Sequence, residues 1–285
     1  MEGWSDDTLC LLGIFALVSL YLVAGLVSRK HLPGCSYLAS TWLLLLCLVV
    51  SEVFSFTLAI WLLAFLSFFA LREYSSLVDI RLQDRLGILG SYLAIPFMTV
   101  FIESDWYGMF IVSIPVYAFL AIPLLVTLGG REREGTVFSV GAINFGLLLA
   151  VYCIGHVGYL MLYSAWMAAV LVFSVVLCDL WSYVLKGWPG STGWLLRFLL
   201  PIPFTISLGL LLSGWSGIPV RHSIVLGILI PALALAGHHT FGYVKTDLGI
   251  RTANPLPGRG RLLDHLQSLF FAAPIVFHYI RYYLK

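Results

Sequence analysis

The chain has 285 residues, 60% of them hydrophobic and only 11% charged, with a formal net charge of +2. A water-soluble domain of that composition would be almost all core, which excludes an ordinary soluble enzyme. So small a net charge also gives no ground for a nucleic-acid partner.

Several apolar runs exceed the roughly 18 residues that mark a membrane-crossing helix, so the expected fold class is an all-α, polytopic integral membrane protein. The first run, 9–27, lacks a basic stretch before it and is followed by Ser28, Arg29 and Lys30, so it reads as a retained helix rather than a cleaved signal. Further spans are expected at 36–50, 54–71, 86–102, 107–128, 137–154, 164–185, 194–212, 224–242 and 266–284. The stretch 36–71 spans roughly 52 Å as helix, too long for one crossing and enough for two short ones broken near Ser51 and Glu52. The count is therefore ten, with eight or nine as alternatives.

No segment is long or polar enough to be a separate soluble unit. The chain is expected to form one transmembrane domain over 1–285, with N-terminal helices in 1–135 and a more polar C-terminal part in 136–285. The five cysteines, Cys10, Cys35, Cys47, Cys153 and Cys178, are scattered through apolar runs and predict neither a metal site nor a disulfide framework. The segment 72–85 is compatible with a short interfacial helix and carries no assigned chemistry.

Orientation follows from the basic residues. With the N-terminus outside, alternate loops place Arg29 and Lys30, then Arg72, Arg81 and Arg85, then Arg131 and Arg133, then Lys186 and Arg197, and finally 245–261 on one side. The other side receives Arg221, Arg281 and Lys285. The positive-inside rule makes the richer side cytoplasmic, which predicts a multi-pass protein of the inner membrane with its working face toward the cytoplasm.

Polar residues inside apolar spans are costly unless they are partnered or face water. Asp179 lies in the second half of its span, either at a functional cleft or as a helix-end residue at the interface. His238 and His239 fall near the cytoplasmic end of the ninth span, where they could bond a neighbouring helix or serve a metal or phosphate. Glu52, Glu103 and His156 are read as interface residues on the outer side.

The densest polar stretch is 237–269, which carries Lys245, Asp247, Arg251, Arg259, Arg261 and Asp264. Its turn, Pro257, Gly258, Arg259, Gly260 and Arg261, can expose backbone N–H groups beside two guanidinium groups, which suits a phosphate-bearing ligand.

In order and spacing, Gly237, Lys245, Gly249-Ile250-Arg251, Pro257-Gly258, Gly260, Asp264 and Ser268 resemble the C-terminal signature of bacterial phosphatidate cytidylyltransferases, or CDP-diglyceride synthetases. That signature has an Asp where this chain has His238. Its Lys-Arg corresponds to Lys245-Thr246, its Lys-Asp to Arg251-Thr252, and its final Asp and Ser to Gln267 and Ser268, with Asp264 retained. Cys178-Asp179 is similar to an Asp-bearing helix of that family. The segment Phe65 to Tyr74 is similar to its Phe-x-Ala-Leu-x-Glu-Tyr pattern, and 269–282 to its last helix.

The resemblance implies a polar cleft on the cytoplasmic side and the reaction of CTP with phosphatidate to give CDP-diacylglycerol and pyrophosphate. It implies Asp264 and Lys245 as catalytic residues. Arg251, Pro257, Gly258, Arg259, Gly260, Arg261 and Ser268 would bind substrate, and Asp179, Asp264 and His238 would hold Mg²⁺. Its partners would be phospholipid, CTP and the membrane, with a possible homodimer. The acids replaced by His238, Thr252 and Gln267, and the lack of a Ser-Pro-x-Lys-Thr motif in 186–205, leave a second reading open. That reading is a catalytically impaired relative that binds anionic lipid or CDP-lipid, or supports a partner enzyme.

Overall fold

The architecture comes from a computed structural model, which describes residues 5–27, 35–129, 133–188, 190–248 and 261–285. Every regular element among these is helical: α1 (Asp6–Val27), α2 (Cys35–Val53), α3 (Phe56–Leu77), α4 (Arg85–Glu103), α5 (Tyr107–Val112), α6 (Phe119–Gly129), α7 (Thr136–Leu147), α8 (Ile154–Tyr163), α9 (Ala165–Val184), α10 (Gly190–Leu199), α11 (Pro201–Leu211), α12 (Ser213–Ser216), α13 (Val220–Asp247) and α14 (Arg261–Leu284). One π-turn, Ser113–Ala118, joins α5 to α6, and another, Leu148–Cys153, joins α7 to α8. Each of these pairs therefore runs on as one rod across the bundle.

Eight described stretches are long and apolar enough to cross a membrane: Asp6–Gly25, Phe56–Leu77, Leu82–Glu103, Tyr107–Leu128, Thr136–Tyr163, Ala165–Gly187, Gly190–Leu211 and Val220–Asp247. The chain is thus an all-α polytopic membrane protein. α2 and α14 complete ten rods. α14, at 24 residues, has the length to cross but not the composition, because its first half carries Asp264, His265, Gln267 and Ser268. Those residues turn toward other helices rather than toward lipid, and Gln267 and Ser268 are buried.

Boundaries moved where local chemistry outweighed hydropathy. The predicted break near Ser51 and Glu52 falls at Phe54 and Ser55, where the Ser55 hydroxyl caps α3 by accepting from the Leu58 N–H at 3.2 Å. α3 runs six residues past its expected end because Glu73 and Tyr74 are buried by tertiary packing. The rod expected to end at 154 continues to Tyr163 and stops at Ser164, whose side chain caps α9.

Glycines set how closely the rods approach. A Cβ on Gly227 would lie 2.5 Å from Ile206, one on Gly158 2.4 Å from Ile60, and one on Gly146 2.4 Å from the Tyr74 ring. In hydrocarbon no hydrophobic drive pulls helices together, so this close packing of backbones is a principal source of association.

The bundle has two distinct ends. At one, Tyr159, Tyr163, Phe110 and Phe277 pack ring to ring. His156 belongs to this stack and is 0% exposed, 4.8 Å from Phe110 and 5.2 Å from Phe277. It is a core residue, not the interface residue expected from its position, because the rod it sits in continues past it. The other end gathers the C-termini of α3, α9 and α13 with the N-terminus of α14, together with Arg81, which is hydrogen-bonded to Asp84, Glu134 and Thr136.

Candidate functional site

At this second end a cavity of about 610 Å³ opens between α9, α10, α13 and α14. α13 and α14 meet at Gly237. A Cβ there would lie 2.4 Å from the carbonyl oxygen of Gln267 and 3.0 Å from Ser268 Cα, so only glycine permits this crossing. The close approach brings the residue after it, His238, into reach of both neighbouring helices.

His238 Nε2 is 2.9 Å from Asp179 Oδ1 on α9, and the Gln267 amide nitrogen is 2.6 Å from His238 Nδ1. The Ser268 hydroxyl donates to the same Asp179 oxygen at 2.6 Å. With the amide oriented this way, Gln267 donates to Nδ1 and the imidazole carries its proton on Nε2 toward Asp179. Asp179 is only 5% exposed, and this pair of donors makes its burial tolerable. It is therefore a partnered residue inside the bundle, not a helix-end residue at the interface.

Above this floor, Lys245 Nζ contacts Asp264 Oδ1 at 2.5 Å, with the Asp264 side chain 34% exposed to the cavity. Asp264, Gln267 and Ser268 follow the i, i+3, i+4 spacing, so they share one face of α14 within about 6 Å of rise. Asp264 consequently sits about one turn from the floor. The remaining wall comes from Ser182, Tyr183, Lys186, Trp194, Arg197 and His239. Arg197 is held in place by a 3.1 Å bond from Nη2 to the Leu185 carbonyl.

The first turn of α14 is held by a residue far away in sequence. Glu73 Oε2 accepts the N–H groups of Leu262 at 2.8 Å and Leu263 at 3.1 Å, and a carboxylate at a helix N-terminus offsets its free amides and macrodipole. Tyr74, the next residue, packs against Gly146 and Phe145. The Glu-Tyr pair noted in the sequence thus fixes the helix that presents Asp264.

Of the residues singled out from sequence, Lys245, Asp264 and His238 line the cavity, and Asp179 and Ser268 form its floor. Arg251, Pro257, Gly258, Arg259 and Gly260 lie outside the described residues, and the Arg261 side chain does as well. Asp247 is exposed at the end of α13. Gly190 to Gly193 form the first turn of α10 beside the cavity, with Gly190 at φ 75°, where glycine is favoured. Sequence reasoning gave no role to Lys186 or Arg197, and it read Gln267 only as a replaced acid. The two basic residues within the 186–205 connector were the available signal.

The donor set is a poor fit for Mg²⁺. Both ring nitrogens of His238 are engaged, Asp264 is paired with Lys245, and among the described residues no three His, Cys, Asp or Glu side chains come together as a metal site. These groups hold one another rather than presenting free oxygens to a hard cation. What the cavity presents is positive charge, with Lys186, Arg197 and Lys245 against Asp264 as the one lining carboxylate among the described residues.

No solved structure matches the chain. It is 28% identical over 295 aligned positions, covering 95% of each chain, to the uncharacterized protein YnbB of Escherichia coli K12. It is also 37% identical over 57 residues, 20% of each chain, to a phosphatidate cytidylyltransferase of Synechocystis sp.. The profile of the cytidylyltransferase family matches residues 37–283, which takes in every helix that builds the cavity and the floor beneath it, and the chain belongs to that family.

Proposed function

We propose that this protein is a membrane cytidylyltransferase that joins CTP to phosphatidate, giving CDP-diacylglycerol and pyrophosphate for phospholipid synthesis. In this reading a lipid phosphate oxygen attacks the α-phosphorus of CTP, a new P–O–P linkage forms, and the bond to the β-phosphate breaks as pyrophosphate departs. The observation that carries it is the cavity lining. Three cationic side chains, from the turn that follows α9, from α10 and from α13, face a space whose volume lies within the usual 300–1,000 Å³ of small-molecule sites. Bringing two phosphates together is opposed by their charge, and fixed cations are a direct way to offset it.

Lys245 is oriented by Asp264, which keeps the ammonium on the cavity side of α13. Lys186 and Arg197 bind the outer phosphates. Arg251, Arg259 and Arg261, with the turn at Pro257, Gly258 and Gly260, belong to the segment joining two cavity-lining helices and are assigned to the same anion. His238 acts through position, as the link between the floor and the mouth. The reading places the cavity on the cytoplasmic face of the inner membrane, where CTP is found. The Mg²⁺ expected from the resemblance enters no step here.

The deciding assay is release of pyrophosphate from CTP by purified protein in detergent, with and without phosphatidate. Lipid-dependent release with stoichiometric CDP-lipid is the expected result.

One observation favours the second reading, binding without turnover. Gln267 bonds His238 Nδ1 through its amide nitrogen, and both stand at positions where the resemblance puts acids. Under it, wild-type protein gives little or no CTP turnover and His238→Asp with Thr252→Asp and Gln267→Asp recovers a trace.

A further inference from the structure

The first residues of 72–85, which the sequence left without chemistry, border a second cavity. It measures about 480 Å³ and is lined by Leu43, Phe69, Arg72, Glu73, Ser76 and Leu262, from α2, α3 and α14. Its apolar wall looks outward: Leu43 is 37% and Phe69 48% exposed in a chain whose outer surface meets lipid.

The two charges at this cavity are unequal. Glu73 is occupied by the N–H groups of Leu262 and Leu263, whereas Arg72 is exposed and forms no ion pair among the described residues. Arg72 stands in the last two turns of the span Phe56–Leu77, the level at which long basic side chains reach the headgroup layer. The two cavities share the opening turn of α14: Leu262 lines the first and Asp264 the second, two positions apart and so on opposite sides of that turn.

We propose that this groove is the lipid site: it holds a lipid with a terminal phosphate monoester, the phosphate on Arg72 and an acyl chain along Leu43 and Phe69. The inference rests on the proposed reaction for its choice of lipid. A guanidinium pairs bidentately with a phosphate, and a monoester carries close to two negative charges at neutral pH. The apolar wall gives a free phosphate nothing to bury but shelters an acyl chain. An amphiphile seated here has its phosphate at the same end of the bundle as the cationic cavity, across the opening turn of α14 from it.

The test uses purified full-length protein in detergent and a phosphatidate with a diazirine in one acyl chain, without CTP. Crosslinks are expected on the peptides that contain Leu43 and Phe69. Unlabelled phosphatidate should compete, and phosphatidylcholine and glycerol 3-phosphate at equal concentration should not. Arg72→Gln should weaken binding about tenfold or more, and Arg72→Lys should keep most of it. If Arg72→Gln does not give folded protein, Leu43→Trp, which fills the groove, carries the test with a similar expected loss.

Crosslinks confined to other helices, equal competition by phosphatidylcholine or glycerol 3-phosphate, or unchanged affinity in the folded variant would each overturn the assignment. CDP-lipid synthesis without binding in the groove would sink the groove and leave the proposed reaction standing. Binding in the groove with no synthesis would do the reverse.

Discussion

At one end of the bundle Asp105 accepts the Tyr159 hydroxyl at 2.6 Å, Arg281 lies 3.5 Å over the Tyr107 ring, and rings from α5, α8 and α14 close the space between helices. At the other end Asp179, His238, Gln267 and Ser268 make an equally well-connected floor, but above it a cavity of about 610 Å³ stays open. Carboxylate, cation and histidine occur at both. What differs is the filler: large aromatic side chains take up the volume at the first end, while at the second Gly237 draws the backbones together and polar side chains face a space none of them fills. A polar network beneath an open cavity can act on a ligand, and the same kind of network under packed rings holds helices together.

The strongest way to break this contrast is Asp179→Ala. It strips His238 and Ser268 of their shared acceptor in a nearly dry site, so the expected loss is on the order of 3 kcal/mol in stability, read by thermal unfolding in detergent, along with loss of nucleotide binding. If stability holds, the floor is wet and the account of Asp179 fails.

Asp264→Asn comes next and separates function from stability. The Lys245–Asp264 pair is partly exposed, so unfolding should shift by no more than about 1 kcal/mol. Turnover under the enzyme reading should fall at least about a hundredfold, or roughly 2.7 kcal/mol. Under the binding reading lipid affinity survives this change.

Gly237→Ala tests the crossing itself. The added methyl meets the Gln267 carbonyl, so α13 and α14 must separate at a cost of about 2 kcal/mol, and the His238 to Gln267 contact should loosen with them. A variant of native stability and full activity would show that the close approach is dispensable.

At the opposite end, Tyr159→Phe removes only the bond to Asp105, for an expected loss of about 1 kcal/mol with CTP binding unchanged. An effect on CTP affinity there would mean that the two ends are coupled. The smallest effect is expected from Mg²⁺. With the carboxylates and His238 engaged by protein partners, CTP affinity should change little until the ion reaches millimolar levels, which titration calorimetry with and without EDTA would check.

Much of the architecture was readable before any coordinates. Runs of apolar residues at membrane length dictate helices, since no other open backbone arrangement satisfies its hydrogen bonds in lipid, and the ten rods follow from them. Helix ends were less legible. Glu73 and Tyr74 extend α3 because α14 and Gly146 use them, and His156 lies within a rod because the π-turn lets α7 run on into α8.

For the site, the sequence alone singled out Asp179, His238, Lys245, Asp264 and Ser268 as polar residues in apolar or signature-like surroundings. Their pairing was decided by the tertiary structure. Which helices a glycine lets touch, that Gln267 locks an imidazole, that Lys186 and Arg197 share a wall with Lys245, and that Arg72 stands over a groove against α14 are facts about distant segments meeting. Hydropathy is local and so survives in the sequence, whereas a contact between residues on different rods, such as His238 with Asp179 or Glu73 with Leu262, depends on how the rods pack, and only the folded bundle specifies that.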